Sequence, residues 1–109
     1  MNISQSTIGR GTLLAVTGRL DLKTATEFRL HGSEALHGAQ DALVVDLTEV
    51  DFIDSSGLGA LIGLHRQATR AGLRLEIIPP TGAAREIFTL TRTDRYFTLI
   101  GSLGEAAAA

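Results

Sequence analysis

Between Asp51 and Gly63 the chain reads Asp51-Phe52-Ile53-Asp54-Ser55-Ser56-Gly57-Leu58-Gly59-Ala60-Leu61-Ile62-Gly63, bringing acids, hydroxyls and glycines into one short stretch. Three kinds of chemistry use such residues: a serine at a strand-to-helix turn can be a nucleophile, glycines at a helix start can admit a nucleotide phosphate, and clustered acids can hold a cation. A plainer role is capping. Asp, Ser and Gly are the residue types that satisfy the orphan N–H groups at the start of a helix.

The nucleophile reading lacks its partners. The Gly-x-Ser-x-Gly elbow is absent, and the only imidazoles, His31, His37 and His65, fall in helical segments away from Ser55: His31 and His37 on exposed positions, His65 partly buried. The nucleotide reading rests on Gly57-x-Gly59-x-x-x-Gly63, with Glu76 near the end of the following strand. Nine residues separate Leu47, the expected strand end, from Gly57, and no second mononucleotide half follows. The acids match no known cation loop. Three glycines in one helix instead mark a backbone that another surface approaches closely, since each interior glycine costs about 1 kcal/mol relative to alanine.

The elements that position these residues follow from periodicity. Leu43 to Leu47 is short, apolar and β-branched, as a central strand covered on both faces should be. From Leu58 the apolar positions Leu58, Leu61, Ile62, His65 and Ala68 are spaced as a helix, which Gly72 ends. Upstream, Asn2 to Ile8 predicts an edge strand, Gly9-Arg10-Gly11 a hairpin turn, and Leu13 to Thr17 its apolar partner. Gly18 to Asp21 is expected to leave the sheet, and Val50 to Ser56 to form a second loop at the same end. Thr24 and Glu27 have the capping-box spacing, with Ala25, Phe28, Gly32, Ala35 and Leu36 on one helix face until Gly38. Downstream come a strand over Leu73 to Ile78, stopped by Pro79-Pro80, a helix carrying Ala84, Ile87, Phe88 and Thr91, and a strand over Tyr96 to Ile100. A second capping box, Ser102 and Glu105, precedes an alanine-rich helix to Ala109. The expectation is one α/β domain over residues 1–109: a mixed, mostly parallel sheet, an antiparallel N-terminal hairpin and about four helices. Asp21, Asp51, Asp54, Ser55 and Ser56 then gather beyond the carboxyl ends of the strands, where open α/β sheets place their sites.

With 109 residues, 44% hydrophobic and 20% charged, the chain has the composition of a globular domain. A net charge of -2, with Lys23 as the sole lysine and the arginines dispersed, argues against direct nucleic-acid binding. Without cysteine there is neither disulfide nor thiol ligation, and no apolar run reaches membrane-spanning length. These features predict a cytoplasmic protein without membrane insertion, signal peptide, metal or cofactor.

Val45-Asp46-Leu47 through Val50-Asp51-Phe52-Ile53-Asp54-Ser55-Ser56-Gly57-Leu58-Gly59 resembles the signature of STAS domains, in particular stand-alone bacterial anti-sigma-factor antagonists. Gly18-Arg19-Leu20-Asp21 with Thr24-Ala25 is similar to a second family segment, commonly Gly-Glu-Leu-Asp and a Thr-Ala pair. The resemblance implies a STAS fold over nearly the whole chain. It also implies a non-enzymatic partner switch, in which an anti-sigma factor that is also a serine kinase binds the unmodified protein and releases it on phosphorylating the serine after the motif Asp. That serine corresponds to Ser55. A phosphoserine phosphatase is the implied counter-partner, with Asp21, Asp54, Ser55, Ser56, Gly57 and Gly59 on the binding surface and the oligomeric state left open. Ser56 is the expected helix cap, leaving Ser55 for modification. The same family also includes subunits of lipid-transport ATPases, which gives an alternative role in structural assembly. Two residues depart from the family pattern. Arg19 stands where an acid is common, and Arg92 where a helix-ending glycine is frequent, so the third helix is expected to end differently.

Overall fold

The computed structural model describes residues 1–106. Five strands form one sheet in the order β1-β2-β3-β4-β5. β1 (Asn2–Ile8) and β2 (Gly11–Leu20) are antiparallel, and β2, β3 (Ala42–Ile53), β4 (Arg74–Ile78) and β5 (Thr98–Leu99) run parallel. The hairpin loop is Gly9-Arg10, with φ +55° at Gly9, a conformation in which glycine avoids the Cβ clash.

Helices α1 (Ala25–Gly38) and α2 (Ser55–Arg70) pack over one face of the sheet. Phe28, Ala35 and Leu36 of α1 and Leu58, Leu61 and Leu64 of α2 meet Leu14, Leu43, Val45, Leu47 and Ile77 of the sheet in a single core. Gly32 allows the two helices to close up, because a Cβ there would lie 2.9 Å from the Leu64 methyls. Leu64 was absent from the helix face read from the sequence. On the opposite face of β3, Val44 joins Ile78 and Ala106, with Ile8, Leu13 and Ile100 alongside. The central strand is therefore covered on both sides, as its composition predicts.

Several boundaries differ from the sequence expectation. Gly18 to Leu20 and Val50 to Ile53 are strand, not loop: Gly18 pairs with Val50, Arg19 with Phe52 and Leu20 with Ile53. Register shifts between Ala15 and Thr17 and between Gly18 and Arg19 put extra residues into β3. These bulges let an acid-rich, non-alternating segment stay paired while Val50 and Ile53, three positions apart, are both buried. The Thr24–Glu27 capping box does not form. Thr24 Oγ1 instead donates to the Arg19 carbonyl at 2.8 Å and accepts from the Asp21 N–H at 2.9 Å.

After β4 the chain takes a 3-10 turn (Gly82–Arg85) and a short α3 (Glu86–Leu90), and Thr91 is its exposed cap. Arg92 has φ +60°, the left-handed geometry that glycine favours, so α3 ends in the usual way with an unusual residue. The last strand is only Thr98–Leu99, with the Tyr96 ring tilted and the Phe97 ring edge-on against His65 of α2. Ser102 makes no side-chain cap; a 3-10 turn (Leu103–Glu105) follows and Ala106 is extended. Of the four helices expected, three are α-helical, and residues 107–109 of the fourth lie outside the described residues.

Candidate functional site

The strand β3 runs straight into α2 through Asp54, which has extended backbone and is the N-cap. Its two carboxylate oxygens have separate tasks. Oδ1 accepts the Gly57 N–H at 2.9 Å, closing the helix start, and Oδ2 accepts the Leu22 N–H at 3.1 Å, tying down the loop after β2. Backbone completes the junction, with Asp54 N–H on the Leu20 carbonyl at 3.3 Å and Leu58 N–H on the Asp54 carbonyl at 2.9 Å.

Capping therefore falls to Asp54 and not to Ser56, because an aspartate in extended geometry reaches the N3 amide directly. Neither the Ser55 nor the Ser56 hydroxyl has a hydrogen-bond partner among the described residues. Ser55 is exposed and Ser56 half-buried. Ser55 thus presents a free hydroxyl at the first position of a 16-residue helix, where backbone N–H groups and the helix dipole favour negative charge.

The neighbouring loop is equally organised. Asp21 Oδ1 accepts the Lys23 N–H at 3.0 Å and, at 3.3 Å, a share of the Thr24 hydroxyl proton that the Arg19 carbonyl holds more closely, while Oδ2 pairs with Arg19 Nε at 3.3 Å. Loss of hydration works against the Asp21 charge, but the bonds from Arg19, Lys23 and Thr24 outweigh it and hold the carboxyl below the ordinary carboxylate value. The Arg19 guanidinium lies 4.1 Å from the centroid of the Phe52 ring. Phe52 is 38% exposed and Leu22 75% exposed, so two large apolar side chains flank the serine turn. The sequence reading missed both. Their signals were an aromatic on the opposite alternation phase from buried Ile53, and a lone leucine in a polar loop.

Gly57 and Gly59 differ in kind. A Cβ on Gly57 would collide with the Leu20 carbonyl oxygen, so this glycine lets the helix start sit on β2; nothing lies within 4 Å of a Cβ on Gly59 or Gly63, which leave open surface. Asp51 is exposed on β3 near the same end. The structure thus brings together Asp21, Asp54, Ser55, Ser56 and Gly57, with Gly59 one turn further along α2.

The alternative chemistries find little here. His65, ten residues beyond Ser55 on the same helix, is about 15 Å away along the axis, and its ring lies 4.5 Å from that of Tyr96. His37 is in the last turn of α1, with Nδ1 against the Ser33 carbonyl at 2.8 Å. The strand does reach within three residues of Gly57, closer than the sequence suggested. Yet Glu76, the residue a ribose would need, is 4% exposed in β4 between Val44 and Thr98. Among the described residues no three His, Asp or Glu side chains form a cluster suited to a metal ion, and no helix is long and apolar enough to cross a membrane.

A family model described as "Mlab, STAS domain" matches residues 3–101. The chain belongs to the STAS domain family. This STAS domain is 34% identical over 65 residues to an anti-sigma F factor antagonist from Paenibacillus polymyxa, a match spanning 58% of this chain and 56% of that protein. Its fold is similar to that of an anti-sigma factor antagonist from Mycobacterium paratuberculosis, with TM-score 0.85 and 24% identity over 95% of this chain and 88% of the other. It is also similar to the antagonist SpoIIAA of Bacillus in two forms. The unphosphorylated form gives TM-score 0.69 at 19% identity, covering 93% and 89% of the two chains; the phosphorylated form gives 0.67 at 21%, covering 91% of each. At these identities the structural likenesses establish the fold, and that fold is the one expected from the order of strands and helices.

Proposed function

We propose that this STAS domain is a cytoplasmic, non-enzymatic anti-sigma-factor antagonist that docks on an anti-sigma factor with serine-kinase activity and is released when that kinase phosphorylates Ser55. The observation that carries the reading is the free, exposed Ser55 hydroxyl on a turn whose capping is already supplied by Asp54. Ser56 also lacks a hydroxyl partner among the described residues but is half-buried, so Ser55 is the more accessible of the two. A phosphoserine phosphatase would restore the binding form.

The physical consequence of modification is local. Phosphorylation adds about -1.5 to -2 charges and three acceptor oxygens. The helix start accommodates them, because the Ser55 and Ser56 N–H groups have no backbone partner among the described residues and the dipole is favourable. A partner surface fitted to a hydroxyl, with Leu22, Phe52 and the open Gly59 face around it, meets added bulk and charge instead. No refolding is required. SpoIIAA matches this fold in both its unphosphorylated and its phosphorylated form, which supports a switch within one fold.

The test is titration of the unmodified and Ser55-phosphorylated chain against the ATP-binding anti-sigma kinase of the same organism. Tight binding of the first and weak binding of the second supports the switch. Stable, phosphorylation-independent assembly with a lipid-transport ATPase would instead identify a structural subunit.

A further inference from the structure

Beside the serine turn, one cation is held in place before any partner arrives. Arg19 is held on two sides: Nε pairs with Asp21 Oδ2 at 3.3 Å, and the guanidinium carbon lies over the Phe52 ring, 4.1 Å from its centroid. Its strand neighbour across the sheet is Phe52 itself, so the stack is built into the β2–β3 register. The side chain remains 59% exposed, and its two terminal nitrogens have no partner among the described residues. The nearby acids are occupied differently. Both oxygens of Asp21 and both of Asp54 accept hydrogen bonds from within the domain. What this rim offers a partner is therefore a guanidinium edge beside the exposed Phe52 ring, with exposed Leu22 and Lys23 in the loop that follows β2 and the exposed acids Glu49 and Asp51 on β3, Asp51 in the bulge next to Phe52.

We infer that Arg19 is a specificity-determining anchor which takes a carboxylate of the anti-sigma kinase in a two-pronged hydrogen bond. The inference rests on the docking surface proposed above and names the chemistry of the partner group that meets it. A planar guanidinium whose Nε edge is already used presents its remaining terminal N–H groups in the spacing of a carboxylate, which an ammonium does not reproduce. Arginine pre-ordered by stacking loses less side-chain freedom on binding, and arginine beside exposed aromatic and aliphatic groups is a common composition of interface hot spots. Phe52 acts as a positioning residue for this anchor.

The experiment compares wild type, Arg19→Gln, Arg19→Lys, Arg19→Glu and Phe52→Leu in titrations against the same anti-sigma kinase, with thermal melting of each variant as the control for folding. The expected result is a loss of affinity of at least about tenfold for Arg19→Gln and for Arg19→Lys, a larger loss for Arg19→Glu and an intermediate one for Phe52→Leu. Melting of the Arg19 variants should stay near wild type, because an exposed ion pair contributes little to stability. Full binding by Arg19→Lys would show that charge alone suffices, and tighter binding by Arg19→Glu would show a basic partner; either result overturns the inference. Wild-type affinity in Arg19→Gln, with release on Ser55 phosphorylation intact, overturns it while sparing the switch. Failure of the wild type to bind any anti-sigma kinase overturns both.

Discussion

Asp54 and Leu22, 32 positions apart in the chain, are joined by one hydrogen bond that makes the start of α2 and the loop after β2 a single unit. The same carboxylate caps the helix through Gly57. Asp54→Ala removes both functions, and a loss of about 1–2 kcal/mol is expected in urea unfolding. Asp54→Asn keeps one oxygen for Gly57 but turns an amide donor toward the Leu22 N–H, so about half that loss is expected. Equal stability of all three proteins would show that the junction is held by backbone alone.

Asp21 gives the stability a defined pH dependence. Its carboxyl is held below the ordinary value in the folded chain, so its charge stabilises the fold above the unfolded carboxylate value of about 3.9, and that contribution is lost as pH falls through the lower folded value. Melting of the wild type and Asp21→Asn across acid pH checks this. The gap between them should be steady from neutral pH to about pH 4 and shrink below it. A gap that widens in acid contradicts the assignment.

The two glycines of the turn should respond in opposite ways to alanine. Gly57→Ala drives a methyl into the Leu20 carbonyl and is expected to cost about 2–3 kcal/mol. Gly59→Ala meets nothing and should stabilise the helix by about 0.5–1 kcal/mol. If Gly59 is also a contact surface for the kinase, this more stable variant should bind it less well, a combination that urea unfolding and a binding titration separate.

Arg92 carries backbone strain that its side chain does nothing to relieve, since no hydrogen bond or ion pair involves that side chain among the described residues. Arg92→Gly should raise stability by about 0.5–1 kcal/mol, seen as a rise of a few degrees in Tm. A lowered Tm would mean the guanidinium contributes more than the left-handed backbone costs.

Much of this fold was legible because its signals are local. The apolar run Leu43 to Leu47, the helical spacing from Leu58 and the glycine turns report directly on strand, helix and hairpin. Pairing was less so. Val50 to Ile53 looks like an acidic loop until the bulges against Gly18 and Arg19 are known, and a bulge is a property of two strands together. The serine turn was visible as a motif, yet the division of labour inside it was not. Whether Asp54 or Ser56 reaches the Gly57 amide depends on the backbone angle at the end of β3, which residue types do not specify. The Arg19–Phe52 stack was hidden for the same reason, since its members are adjacent only across the sheet.

In the proposed switch Ser55 alone takes the phosphate while Asp54 holds the turn. Wild type, Ser55→Ala and Ser56→Ala are incubated with the anti-sigma kinase and ATP, phosphate is mapped by mass spectrometry, and complex retention is followed in the same samples. Phosphate is expected on Ser55 of the wild type and of Ser56→Ala, with release of both from the kinase. Ser55→Ala should remain unmodified and bound, and Ser56→Ala should melt near wild type because it is not the cap. Phosphate on Ser56, or release of Ser55→Ala by ATP, would contradict the proposed switch.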